Sequence, residues 1–203
     1  MNSAPGWFPG NVSRETLEAL GHYSDLIRQW TQKINLVAPS TLADLETRHI
    51  WDSAQIYAPE AGKWVDVGSG GGLPGVVIAI LRKGDGNTDE TVLIESDQRK
   101  CAFLRTCKRQ LDLDMTIIAS RIETADPQNA DILSARALAS LPDLLGHAER
   151  HMSASGRCVF QKGAAWRDEI DAAHAKWRFS YEALASKTNP EAATLVIRDI
   201  QRV

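Results

Sequence analysis

The segment Val65-Asp-Val-Gly-Ser-Gly-Gly-Gly-Leu-Pro-Gly75 joins a short apolar run to five glycines within eight residues. Glycine has no Cβ and tolerates positive φ, so such a loop lets backbone approach a ligand closely. A helix restarting behind it, from Val76 to Leu81, presents free N–H groups at its first turn. Gly70, Gly72 and Gly75 satisfy GxGxxG, and Glu95 follows 20 residues after Gly75, a spacing that fits a dinucleotide site. Two features favour S-adenosylmethionine over a dinucleotide. Asp66 stands two residues before the first glycine, where its carboxylate would face a cationic methionine end and repel a pyrophosphate. Gly68, Gly70 and Gly72 then follow as GxGxG. Glu95 suits the hydroxyls of a ribose under either reading.

Outward from the loop, short β-type runs alternate with helical ones. Strands are expected at Lys63–Val67, Thr91–Glu95, Met115–Ala119, Asp131–Ala135 and Arg157–Gln161. Helices are expected at Asp97–Leu111, Leu141–Met152 and Trp166–Lys176. Such alternation implies βαβ units and a parallel sheet. Phe179–Leu184 and Thr194–Ile200 lack an intervening helix, so they should pair antiparallel. Before Lys63 there is no strand signal. Residues 1–12, with Pro5, Gly6, Pro9 and Gly10, read as a loose lead-in. Ser13 is a fair N-cap for a helix whose stripe is Leu20, Tyr23, Ile27, Trp30 and Ile34. A second helix is expected from Thr41 to Tyr57, closed by Pro59 and Gly62. The result is an α/β chain in two parts: an N-terminal helical cap over 1–60, and a doubly wound sheet over 61–203.

The chain has 203 residues, 43% hydrophobic and 24% charged, with a net charge of −3. That composition excludes whole-chain disorder, collagen and a disulfide scaffold. It also excludes a globally basic nucleic-acid binder, though not a local basic face. Residues 1–60 hold four Lys/Arg against seven Asp/Glu, whereas 96–121 hold six against three. Three cysteines without CxxC spacing read as reduced, buried thiols. No apolar run approaches a membrane span. Met1–Gly10 lacks the charge and apolar core of a signal peptide, so a cytoplasmic protein is expected. His147 and His151 lie four apart but have no third ligand; they read as surface histidines, and no metal is expected.

Six stretches occur in one order: Lys33-Ile-Asn-Leu36, Arg48-His-Ile-Trp-Asp-Ser53, Asp66 to Gly75, Ser120-Arg-Ile-Glu123, Ser134-Ala-Arg-Ala-Leu-Ala-Ser140 and Gln161-Lys-Gly163. Together they resemble the bacterial small-subunit rRNA methyltransferase G family, from about Leu17 to Ile200. The resemblance implies a class I, Rossmann-like S-adenosylmethionine-dependent fold: a mostly parallel seven-stranded sheet with an antiparallel last strand. It implies methylation of N7 of a guanosine in the 530 loop of 16S rRNA, on the rRNA or the 30S subunit; a monomer is the default expectation. By position, Gly68 and Leu73 would touch the cofactor, Ile122 and Glu123 would sit at its adenine, and Arg136 would line the site near the methionine end. Gly71 and Val37 depart from the usual family residues without removing a group the chemistry needs.

Guanine N7 carries an available lone pair and no proton, so its methylation needs no general base. Catalysis would be mainly positioning. Arg136 is the candidate catalytic residue, either on the guanine or on the methionine carboxylate; a strand-end salt bridge is its bland alternative. For RNA, Arg48, Arg121 and Lys162 rank first as phosphate ligands. Lys33 and Asn35 between the cap helices come next, with Arg105 on the basic helix that also carries Arg99, Lys100, Lys108 and Arg109. His49 reads as structural, and Trp30 and Trp51 as glue for the cap. Competing readings are a methyltransferase for another substrate, a non-catalytic ribosome assembly factor and, last, an NAD-dependent oxidoreductase.

Overall fold

The computed structural model describes residues 1, 3–8 and 12–203; Pro9 and Gly10 of the expected lead-in lie outside them. Helix α1 spans Arg14–Thr31. Ser13 caps it, its Oγ accepting from the Thr16 amide at 3.1 Å. Leu20, Tyr23 and Ile27 are fully buried along one stripe. Each such side chain contributes roughly 1.5–3 kcal/mol of burial free energy. The helix stops before Ile34 because the Trp30 carbonyl accepts from both Lys33 and Ile34 amides.

The single helix expected over 41–57 is instead three short pieces. Pro39–Asp44 is a 3₁₀ turn, Glu46–Trp51 a π turn, and Asp52–Ala54 (α2) a last α turn. Leu45 and Ile50 are both fully buried. That five-residue step matches the i→i+5 repeat of a π turn better than an α repeat. Arg28 anchors the segment from α1, donating to both Glu46 carboxylate oxygens at 2.9 and 3.1 Å.

The rest follows the βαβ alternation: β1 Trp64–Val67, α3 Gly75–Gly84, β2 Thr91–Glu95, α4 Gln98–Gln110, β3 Thr116–Ala119, β4 Ala130–Arg136, α5 Leu141–His151, β5 Met152–Lys162, α6 Trp166–Ala173, β6 Trp177–Ala185 and β7 Ala193–Arg202. The strands form one sheet in the order β3-β2-β1-β4-β5-β7-β6. β1 to β5 pair parallel, and β7 runs antiparallel between β5 and β6. The expected mostly parallel, seven-stranded sheet with an antiparallel last strand is therefore the observed one. β5 starts five residues earlier than its apolar run, because Met152 pairs with Ala130 ahead of an irregularity in the register.

Apolar clusters form on the two faces of the sheet. One joins α5, α6 and β7, through residues such as Leu144, Leu145, Ile170 and Leu195. The other joins Leu20, Tyr23 and Ile27 of α1 to Val76 and Val77 of α3 and Phe103 and Leu104 of α4. The N-terminal helices thus complete a layer of the core. Trp30 packs tilted on Phe103 at 5.5 Å, and Trp51 is buried. Cys101, Cys107 and Cys158 are free and buried. His151 corrects the sequence reading. It is fully buried, and its Nε2 meets the Ile122 carbonyl at 2.8 Å. Among the described residues no helix is long and apolar enough to cross a membrane, and no group of three His, Cys, Asp or Glu is placed to hold a metal.

Candidate active site

The carboxyl ends of β1, β2 and β4 open into a cavity of about 490 Å³. Its floor is the glycine loop. Gly68, Gly70 and Gly72 all adopt left-handed φ, at +64°, +56° and +82°. A Cβ at Gly68 would meet Leu138 Cδ1 at 2.4 Å, and one at Gly72 would meet Val76 Cγ2 at 2.3 Å. Gly72, enclosed also by Leu104 and Tyr23, therefore needs glycine for space as well as for conformation, whereas at Gly68 the neighbour is the tip of the exposed Leu138 side chain and the positive φ is the requirement.

Hydrogen bonds from three directions hold the loop. The Ser69 amide donates to the Ile94 carbonyl at 3.0 Å. The Gly70 amide donates to Glu95 Oε2 at 2.8 Å, while Glu95 Oε1 accepts from the Asp97 amide at 2.7 Å. From the cap, the buried Tyr23 hydroxyl donates to the Gly71 carbonyl at 2.5 Å. Glu95 thus shapes the loop and also lines the cavity with Gly68, Gly70, Leu73, Ile122 and Glu123. Arg121 stands exposed at the rim.

Asp66 is placed differently from its sequence reading. It is fully buried beneath the loop and does not line the cavity. Its Oδ1 accepts from Ser134 Oγ at 2.7 Å, and its Oδ2 from the Gly75 amide at 3.2 Å. Ser134 in turn accepts from Trp64 Nε1 at 2.9 Å. The carboxylate faces the N-terminus of α3, where the helix dipole favours negative charge. Burial still raises its pKa to about 6. Gly72 also lies off the cavity wall, packed against Val76 and Tyr23.

A second cavity, of about 600 Å³, adjoins the first and shares Leu36, Arg136 and Ala137 with it. Arg136 ends β4 and stands at their common wall. Its guanidinium donates to Asp52 Oδ2 at 3.2 Å, the Arg48 carbonyl at 3.4 Å and His49 Nδ1 at 3.1 Å. Burial and the Arg136 charge push the His49 pKa down to about 4. A neutral imidazole fits, with Nδ1 accepting from Arg136 and Nε2–H donating to Thr41 Oγ1 at 2.7 Å. Asp52 is a hub that sequence reasoning missed. It also accepts from Gln161 Nε2 at 3.1 Å, Gln55 Nε2 at 2.8 Å and Thr188 Oγ1 at 2.5 Å. These bonds join the cap to β4, β5 and the β6–β7 loop.

The cations expected to meet RNA fall into different places. Arg48 is exposed and lines the second cavity. Lys162 lines it too, but its ammonium is already engaged, at 2.6 Å from Glu169 Oε2 and 2.8 Å from the Ala139 carbonyl, with 9% of the side chain exposed. It is thus not a free phosphate ligand. Arg105 is exposed on α4 away from both cavities. Lys33 borders a third groove, beyond Lys100.

Comparison with known proteins bears on this arrangement. A family profile described as rRNA small subunit methyltransferase G matches residues 16–195. Proteins named ribosomal RNA small subunit methyltransferase G are similar over almost the whole chain. The one from Ruegeria sp. (strain TM1040) is 47% identical over 100% of both chains, and the one from Ruegeria pomeroyi is 49% identical over 95% of this chain and 96% of its own. Among solved structures, a SAM-dependent methyltransferase from Aquifex aeolicus aligns with a TM-score of 0.57 at 13% identity, covering 86% of this chain and 96% of that one. A TehB-like SAM-dependent methyltransferase from Corynebacterium glutamicum aligns at 0.54 and 17%, covering 90% and 98%. At these identities the structural likeness shows the fold.

Proposed function

This chain belongs to the rRNA small subunit methyltransferase G family, and from that premise we propose that it methylates N7 of a guanosine in the 530 loop of 16S rRNA. The coarser activity, S-adenosylmethionine-dependent methylation of rRNA, is that of the family. The observation that supports a base held beside the cofactor is the pair of adjoining cavities with Arg136 in their common wall; the N7 position and the 530 loop are what the family resemblance implies. One is floored by a glycine cradle that Cβ atoms would fill and walled by a strand-end carboxylate, Glu95, features suited to an adenosyl cofactor. The other is open to a base.

Gly68, Gly70, Leu73, Glu95, Ile122, Glu123 and Arg136 would hold the cofactor. When bound, S-adenosylmethionine supplies a methyl group on a sulfonium, open to in-line attack by a lone pair. The protein's part is to hold the acceptor. N7 of guanine is unprotonated, so no side chain has to take a proton from it. Arg136, kept in place by Asp52 and by neutral His49, fixes the shared wall. Alignment of this kind can supply roughly 7–11 kcal/mol of barrier lowering in favourable cases. Arg48 and Arg121, exposed at the two rims, present guanidinium groups to phosphates. Residues 1–60 act as the cap that shapes the second cavity, and 61–203 as the catalytic core. The protein works as a monomer in the cytoplasm, on the 30S subunit or its rRNA.

The test uses purified protein, radiolabelled S-adenosylmethionine and 30S subunits from cells lacking the gene. Label is expected at one guanosine of the 530 loop as 7-methylguanosine. Binding of S-adenosylhomocysteine without any label in 16S rRNA would refute the proposal.

A further inference from the structure

A third groove, of about 300 Å³, lies beside the two cavities. One wall is Lys33, Ile34 and Asn35, which follow α1. The other is Asp97, Arg99 and Lys100 at the start of α4. The backbone of both walls is fixed. Lys33 and Ile34 are tied to the Trp30 carbonyl, and Asp97 caps α4 by accepting from the Arg99 and Lys100 amides at 2.8 and 3.3 Å. Asp97 also accepts from the Arg99 guanidinium at 3.1 Å. Its charge is therefore matched within the wall, and the Arg99 bond leads the causes that hold its pKa down at about 2. The Lys33 and Lys100 ammonium groups, by contrast, make no ion pair or side-chain hydrogen bond among the described residues. With Arg99 against Asp97, the groove carries two uncompensated positive charges and one neutral amide, Asn35.

The groove is also continuous with the site. Lys100 lines both it and the 490 Å³ cavity, and Leu36 lines both that cavity and the 600 Å³ one. The groove therefore adjoins the cofactor cavity through Lys100, and its Asn35 wall runs directly into Leu36, which lines both cavities. On the rRNA reading, a strand whose target base enters the acceptor cavity would have this groove beside it for a flanking phosphate. Phosphate oxygens are acceptors with negative charge, the complement of two ammonium groups and an amide.

We propose that Lys33 and Lys100 together seat one internucleotide phosphate of the RNA strand flanking the methylated nucleotide. The assignment rests on the rRNA methyltransferase reading. It adds a contact outside the cofactor and acceptor cavities that fixes where the strand lies. Lys33 does not line the cofactor cavity, so its removal separates strand binding from cofactor binding.

The experiment measures binding of a synthetic stem–loop carrying the 530-loop sequence across a range of salt concentrations. Replacing both lysines by alanine should flatten the slope of log K against log salt by about 0.7–0.9, the value for one lost phosphate contact, and the single variant Lys33→Ala should flatten it by less. Its affinity for S-adenosylhomocysteine should stay within twofold, which reports an intact fold. A single neutral methylphosphonate linkage is then moved along the RNA. At one linkage, the wild type should lose affinity, Lys33→Ala and Lys100→Ala should each lose less, and the double variant should lose nothing further. If no linkage behaves this way while the wild type binds and methylates the RNA, the groove assignment falls and the functional reading stands. If the wild type methylates neither this RNA nor 30S subunits, both fall; if it methylates 30S subunits but does not bind this RNA, the groove assignment falls and the functional reading stands. Competition by inorganic phosphate that depends on Lys33 and is as strong as that by RNA would assign the groove to a free anion and overturn the proposal.

Discussion

Asp52→Asn removes one negative charge from the hub while keeping size and one acceptor oxygen. In the wild type the carboxylate faces the Arg136 guanidinium at 3.2 Å, and both side chains are 16% exposed. Asn retains an oxygen for Thr188 and Gln55 but leaves Arg136 with only neutral acceptors, His49 Nδ1 and the Arg48 carbonyl. A hydrogen bond to a charged group is worth about 1.5–3 kcal/mol. A fully buried ion pair that loses one partner costs about 3–5 kcal/mol. Residual exposure places this pair toward the lower range, so the expected loss is about 2–3 kcal/mol. For a chain of this size that is a drop of roughly 5–10 °C in Tm. The effect on rate should be larger than on folding. A displacement of about 1 Å in a positioning group costs on the order of 100-fold, and Arg136 stands in the wall between acceptor and cofactor. Urea melts and steady-state methylation of 30S subunits measure the two separately. Asp52→Asn should fold and turn over at least tenfold more slowly. A variant within 1 kcal/mol of the wild type and with unchanged turnover would show that Asp52 does not position Arg136.

The remaining predictions concern the loop and its supports. Asp66 has a folded-state pKa of about 6 against 3.8 for the free side chain, so its contribution is fully present below pH 3.8 and is lost as pH rises through 6. That amounts to roughly 3 kcal/mol. His49 acts with the opposite sign, since a depressed imidazole pKa loses stability as pH falls from 6.5 toward 4. Subtracting wild-type stability from that of Asp66→Asn at pH 5 and pH 8 isolates the carboxylate. The variant should gain relative to the wild type at pH 8, and parallel stability curves would contradict the buried assignment. Gly72→Ala forces a left-handed alanine, at about 1–2 kcal/mol, with a Cβ 2.3 Å from Val76, an overpacking of about 1–3 kcal/mol. A melt within 2 °C of the wild type would be inconsistent with that geometry. Tyr23→Phe leaves the Gly71 carbonyl without its donor and should cost about 1–2 kcal/mol. It should also weaken S-adenosylhomocysteine binding severalfold by calorimetry; an unchanged Kd would restrict Tyr23 to a packing role.

The glycine loop, the strands around it and the helices α3 to α5 were readable because their signals are local. Alternating apolar runs and positive-φ glycines constrain neighbouring residues, whatever else the chain does. The polar groups were harder. Asp66 and Glu95 both end strands next to the loop, yet one is buried under α3 and the other reaches the cavity. A strand-end position does not say whether a carboxylate meets a helix N-terminus or a void. Lys162 looked free until α6 brought Glu169 to 2.6 Å. His151 looked like a surface residue because its partner, the Ile122 carbonyl, comes from a distant turn. The π turn had no periodic signature, since it arises from the need to bury Leu45 and Ile50 together.

By itself, then, the sequence determined the strand–glycine loop–helix unit, the alternation that makes the sheet parallel, and the antiparallel close. Those features depend on backbone preference and on side-chain period over a few residues. Only the tertiary structure decided which charges are free to act. Asp52 meets Arg136 across 84 residues, and Tyr23 meets Gly71 across 48. Whether a polar group is satisfied inside the protein or left for a ligand depends on such long-range meetings, and no local pattern records them.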